Sequence, residues 1–153
     1  MILHLLTQTI SASIATVGFS LLFGVPSRYY PCCALIGGVS WLAYLLILPY
    51  SSVSIATFAS TVIVILMSRW FAVRERCPVT IFLISGIIPL VPGAGIYRAT
   101  YYMVTEQLHQ AVQTGFESVK VAVAIVLGIV FVFEIPQKVF QFGTNKTHFS
   151  KKQ

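Results

Sequence analysis

The chain has 153 residues, of which 57% are hydrophobic and only 9% charged, with a formal net charge of +6. A soluble domain carries roughly a quarter charged residues, so this composition excludes one and points to a chain solvated by lipid. The excess Lys and Arg sit in loops and in the carboxyl-terminal tail, where they set topology; they form no surface for nucleic acid.

No Asp, Glu, Lys or Arg occurs from Met1 to Ser27. About 20 apolar residues carry a helix across the bilayer core, so the first predicted span is 2–23. It has no basic leader and is read as a retained span, not as a secretory signal. A second uncharged run, Pro31 to Ser68, is divided at Pro49-Tyr50-Ser51 and supplies two spans, 32–48 and 51–70.

Arg28 lies before the second span, and Arg69, Arg74 and Arg76 follow the third. The positive-inside bias makes both of these loops cytoplasmic. The amino terminus is then expected outside. The carboxyl terminus, with Lys138, Lys146, Lys151 and Lys152, is expected in the cytoplasm. The fourth span, 79–91, is short: at 1.5 Å per residue it covers only about 20 Å. It either continues through the next segment or ends partway across.

That next segment is the most informative in the chain. It reads Ile87-Ile88-Pro89-Leu90-Val91-Pro92-Gly93-Ala94-Gly95-Ile96-Tyr97-Arg98. Each proline removes a backbone donor and clashes with the preceding turn, and each glycine loosens the chain. The backbone groups so freed are tolerated at membrane depth only beside protein or a polar cavity. Broken helices of this kind mark transport sites. Pro89, Pro92, Gly93, Gly95, Tyr97 and Arg98 are therefore the candidate substrate pathway. A helix beginning near Ile96 would aim its positive end, with Arg98, at a carboxylate.

The stretch 99–114 is expected to be a helix of mixed polarity, re-entrant or interfacial, with a sixth crossing as the alternative. It carries Glu106 and His109, three residues apart on one helical face, a candidate proton relay. The competing reading leaves both among lipid headgroups. The last span is 116–135. The fold class is thus all-α, an integral membrane helical bundle of about five transmembrane helices with a Pro/Gly-broken fourth helix. Residues 1–140 form one transmembrane domain and 141–153 a short basic cytoplasmic tail.

Other features read as structural. Cys32, Cys33 and Cys77 have no metal-ligand or CxxC spacing and are expected reduced and inert. Gly37, Gly38 and Gly128 are expected at close helix contacts. Ser54, Thr57, Ser60 and Thr61 either pack or line a polar path. Trp41, Tyr44, Tyr50 and Trp70 read as interface anchors or lipid contacts. No Ser/His/Asp, Cys/His or paired-carboxylate constellation is present, so no enzyme, metal or cofactor is expected.

The Pro89–Tyr97 string, followed by a tyrosine-rich stretch, resembles the Pro-Leu-Val-Pro-Gly signature of the threonine/serine exporter family. Gly24-Val25-Pro26-Ser27-Arg28 and Cys33-Ala34-Leu35-Ile36-Gly37 are similar to the loop and second-span entry of that family's small, membrane-embedded subunit. The resemblance covers nearly the whole chain. It implies a bacterial inner-membrane exporter of small polar metabolites, threonine and serine or dicarboxylates such as succinate. It also implies a companion subunit with a cytoplasmic domain and further spans. Pro89, Pro92, Gly93, Gly95 and Tyr97 match the motif, whereas Arg98 departs from the aromatic or small residue often found there. A short chain leaves little material for alternating access, which favours an obligate partner or a homo-oligomer. The rival classes are a non-transporting membrane scaffold and a passive channel.

Overall fold

The computed structural model describes residues 2–134; the tail 141–153, Lys138 and the end of the predicted last span lie outside them. Six α-helices follow one another among the described residues: α1 (Ile2–Leu22), α2 (Tyr30–Ile47), α3 (Val53–Glu75), α4 (Thr80–Ile87), α5 (Gly93–Val104) and α6 (Leu108–Phe133). Single 3₁₀ turns at Ser27–Tyr29, Leu48–Tyr50 and Ile88–Leu90 join them. Four segments are long and apolar enough to cross a membrane, and α4 with its 3₁₀ turn plus α5, bent by 45°, makes a fifth as one broken span. The protein is an all-α, multi-pass membrane bundle.

The helix ends follow local chemistry. After α1 the chain reverses through Gly24, whose φ of +68° suits a residue without a β-carbon. There the Val25 N–H donates to the Ser20 carbonyl and the Gly24 N–H to Leu21, which satisfies two terminal acceptors. Pro31 occupies the first turn of α2, where a missing donor costs nothing. The Ser52 hydroxyl caps α3 by accepting from the Ile55 N–H. At its far end α3 runs five residues beyond the predicted limit and stops at Arg76, in the left-handed region at φ 51°.

α2 lies at the centre, with α1, α3 and α4 packed against it; α6 packs on α3, and α5 packs on α6. Between helices in lipid, close fit replaces the hydrophobic drive. Thr9, Ser13, Thr16 and Ser20 line up along α1, each hydroxyl donating to the carbonyl four residues back. This stripe meets Gly37 and Gly38 of α2, where a β-carbon would overlap Thr16 Oγ1 and Ser13 Oγ. Gly86 of α4 is equally confined, its β-position 2.7 Å from Ile36 Cγ2. Gly128 of α6 meets Thr61 and the Phe58 carbonyl. Gly37, Gly38 and Gly128 pack helices as expected, and Gly86 joins them.

The end of the bundle that carries the arginine loop is sealed by aromatic rings. Phe82 is wholly buried, edge-on to Tyr29 at 5.5 Å and tilted against Phe71 at 6.0 Å. Cys33, Ile36 and Val64 complete this core. Nearby, buried Arg69 of α3 donates to the Phe133 carbonyl at 3.3 Å and lies over the Phe133 ring at 5.0 Å. A cation there faces the negative end of α6.

One expectation is corrected. The stretch 99–114 is not a single helix. α5 ends at Val104, the chain turns at Thr105–Gln107, and α6 has already begun at Leu108, eight residues before the predicted span. Glu106 makes the turn in the left-handed region at φ 61°. Its N–H donates to the Met103 carbonyl and that of Gln107 to Tyr102, closing α5.

Candidate functional site

The interruption between α4 and α5 has a complete local cause. Pro92 disfavours helical backbone at the residue before it, and Val91 is extended at φ −63°, ψ 131°. Pro92 itself, at φ −76° and ψ 49°, centres a tight turn in which the Gly93 N–H donates to the Val91 carbonyl at 2.7 Å. The Val91 N–H returns to Ile88 at 3.1 Å, and α5 starts when the Ile96 N–H reaches the Pro92 carbonyl at 3.0 Å. A proline cap offers no side-chain acceptor, so the first-turn N–H groups of Ala94 and Gly95 have no acceptor within the helix.

Ala94 and Gly95 face a cavity of about 700 Å³. Its floor is the break itself, Pro89 to Pro92. One wall is Trp41 and Tyr44 of α2, with Ser51, Ser52, Ser54 and Thr57 at the start of α3. The opposite wall is Arg98 of α5 with Thr114, Glu117, Ser118 and Lys120 of α6. The cavity therefore lies toward the end of the bundle opposite the arginine loop, and the Tyr29–Phe71–Phe82 core lies at the other end. A second groove of about 460 Å³ shares Trp41 and Pro89 and is bordered by Thr7, Gln8 and Ser11 of α1. Between the two, Trp41 Nε1–H donates to Gln8 Oε1 at 3.3 Å.

Of the sequence candidates, Pro89, Pro92, Gly95 and Arg98 come together on this cavity. Gly93 and Tyr97 belong to the same helix start without lining it, and Tyr97 is 71% exposed. Glu106, within the α5–α6 turn, and His109, in the first turn of α6, are exposed and do not border the cavity. They share no helical face, which removes the geometric basis for pairing them. Trp41 and Tyr44, expected as interface anchors or lipid contacts, wall the cavity, their rings 5.2 Å apart. Ser54 and Thr57 line it, whereas Ser60 and Thr61 are buried between helices.

Glu117 and Lys120 were missed as site residues. The signal was available: an acid and a base three residues apart inside an otherwise apolar span. Outside the spans, Cys77 sits half-buried in the loop after α3. Burial pushes its thiol pKa above the ordinary value, Glu75 raises it further, and Arg28 opposes both.

A bent broken span that borders a polar, charge-bearing cavity defines a multi-pass membrane protein built around an interrupted helix. The family description "Threonine/Serine exporter, ThrE" matches residues 8–135, most of the chain. The chain belongs to the threonine/serine exporter family. No solved structure matches it.

Proposed function

We propose that this chain is the small membrane-embedded half of a secondary exporter in the bacterial inner membrane. It moves threonine and serine, or dicarboxylates such as succinate, out of the cytoplasm and works with a companion half that carries a cytoplasmic domain and further spans. The observation that carries the proposal is the cavity at the Pro89–Pro92 break, which the free N–H groups of Ala94 and Gly95 share with the side chain of Arg98. Helix N-termini favour carboxylates, and both solute classes carry at least one. Family membership supports export as the activity.

The orientation proposed places the amino terminus outside, the arginine loop in the cytoplasm and the cavity toward the outside. Such a half-machine needs either its companion or a second copy of itself to build a full path. The test is efflux of labelled threonine, serine and succinate from cells carrying this chain with and without the companion. Ala94→Trp, which fills the cavity from its edge, abolishes efflux while membrane abundance stays normal. Full efflux from Ala94→Trp, or from an isolated monomer, overturns the proposal.

A further inference from the structure

Within the cavity three charged side chains fall in a fixed order. Gly95 lies against Ser118, and the β-position of Gly115 lies 3.7 Å from Ala99 Cβ, so α5 and α6 run antiparallel in register. Lys120 is then level with the break, Glu117 lies about 4.5 Å further along the axis, and Arg98 a little beyond that. The series reads cation, anion, cation from the floor to the mouth. Lys120 lies one turn past Phe116, just inside the apolar part of α6, where an ionisable group requires a polar surrounding. The cavity supplies it.

These charges form no close ion pairs with one another among the described residues. Glu117 and Arg98 make no ion pair or side-chain hydrogen bond among the described residues, and the Lys120 ammonium leans over the Phe116 ring at 5.2 Å from its centroid. A carboxylate left uncommitted between two cations opposes a second solute carboxylate and attracts an ammonium group. We propose that Glu117 binds the ammonium of a zwitterionic solute while Lys120 and the Ala94 and Gly95 N–H groups take its carboxylate. On this reading Glu117 is the specificity-determining residue that separates amino acids from dicarboxylates.

The inference rests on the cavity being the solute path, and the experiment separates the two. Binding of labelled threonine and labelled succinate is measured by equilibrium dialysis on the full chain in lipid nanodiscs, for wild type, Glu117→Gln, Glu117→Asp and Ala94→Trp. Wild type prefers threonine. Glu117→Gln weakens threonine binding about tenfold, the loss of one charged hydrogen bond, and reverses the preference toward succinate. Glu117→Asp still prefers threonine but by a narrower ratio, because the shorter side chain reaches the ammonium less well. If Glu117→Gln fails to fold, Glu117→Asp decides, because a purely structural carboxylate would leave the succinate-to-threonine ratio of that shorter side chain unmoved, whereas a ligand-binding one shifts it. Threonine binding that survives Glu117→Gln but is lost in Ala94→Trp overturns the assignment of Glu117 and keeps the cavity. Binding that survives Ala94→Trp, or a wild type that binds succinate over threonine or binds neither, overturns the inference outright.

Discussion

Gly95 of α5 lies so close to Ser118 of α6 that a β-carbon would overlap the serine Oγ, which is itself held by the Thr114 carbonyl at 2.9 Å. One turn further out, Ala99 and Gly115 repeat the contact more loosely. The second half of the broken span thus touches the bundle through a few small residues, since α5 has no buried residue of its own.

Gly95→Ala is therefore expected to lower the stability of the folded chain by about 1–3 kcal/mol, the usual cost of overpacking a close contact. Gly93 meets nothing within 4 Å and has ordinary backbone angles, so Gly93→Ala leaves stability unchanged or raises it by about 0.5 kcal/mol through helix propensity. Adding Ser118→Ala to Gly95→Ala restores the wild-type value. Thermal unfolding midpoints in detergent for these four proteins check the pattern, and equal midpoints for the two single glycine variants would contradict it.

Among the described residues, two non-glycine residues hold left-handed backbone, Arg76 after α3 and Glu106 after α5. A β-carbon in that region costs roughly 1–2 kcal/mol. Arg76→Gly and Glu106→Gly are each expected to stabilise the protein by about 0.5–1 kcal/mol net of the greater freedom of glycine in the unfolded chain. A lower midpoint for either shows that the side chain outweighs the strain.

Arg69→Leu removes the donor to the Phe133 carbonyl and the cation at the end of α6. The expected loss is about 2–3 kcal/mol, the range for a buried charged hydrogen bond whose partner is left behind. Arg69→Lys recovers part of it, because an ammonium keeps the charge but not the planar fork. Hydrogen exchange localises the effect: the last turn of α6 gains exchange before the rest of the helix does.

Cys77 offers a probe of both topology and charge. Only its thiolate reacts with alkylating reagents, and its pKa lies above the ordinary thiol value, with burial the main cause. Alkylation at pH 8, with the modified peptide read by mass spectrometry, is expected to be slower than in the denatured chain. The rate keeps rising with pH past the point where the denatured thiol levels off. An impermeant reagent modifies Cys77 from the cytoplasmic side alone, and modification from outside would reverse the proposed orientation.

The first three spans were legible because uncharged runs longer than a bilayer crossing have few alternatives, and because Pro49 marks the division between two of them. The break was legible for the same reason in reverse, since Pro89 and Pro92 forbid a regular helix. The start of α6 was not. Leu108 to Gly115 is too polar to read by itself as part of an apolar span, yet Leu108, Gln110, Ala111 and Gln113 favour helix, and hydropathy reports solvent, not helicity. The turn at Glu106 was hidden for a related reason: no glycine or proline announces it, and the chain accepts a strained glutamate where glycine would fit. Trp41 and Tyr44 show a further limit, because aromatic residues suit lipid and a solute-sized cavity equally well. Arg98 was found beside the break, whereas Glu117 and Lys120 reach the same cavity from a helix about 20 residues later, a proximity that only the antiparallel pairing of α5 and α6 creates.

The hydroxyl stripe of α1 has a mechanical meaning. A displacement of that helix by one turn, about 5.4 Å, brings Ser13 or Ser20 to the glycine now covered by Thr16, one small group replacing another. The seam with α2 thus repeats small groups along its length, and the Trp41–Gln8 hydrogen bond is the contact that such a slip would have to break.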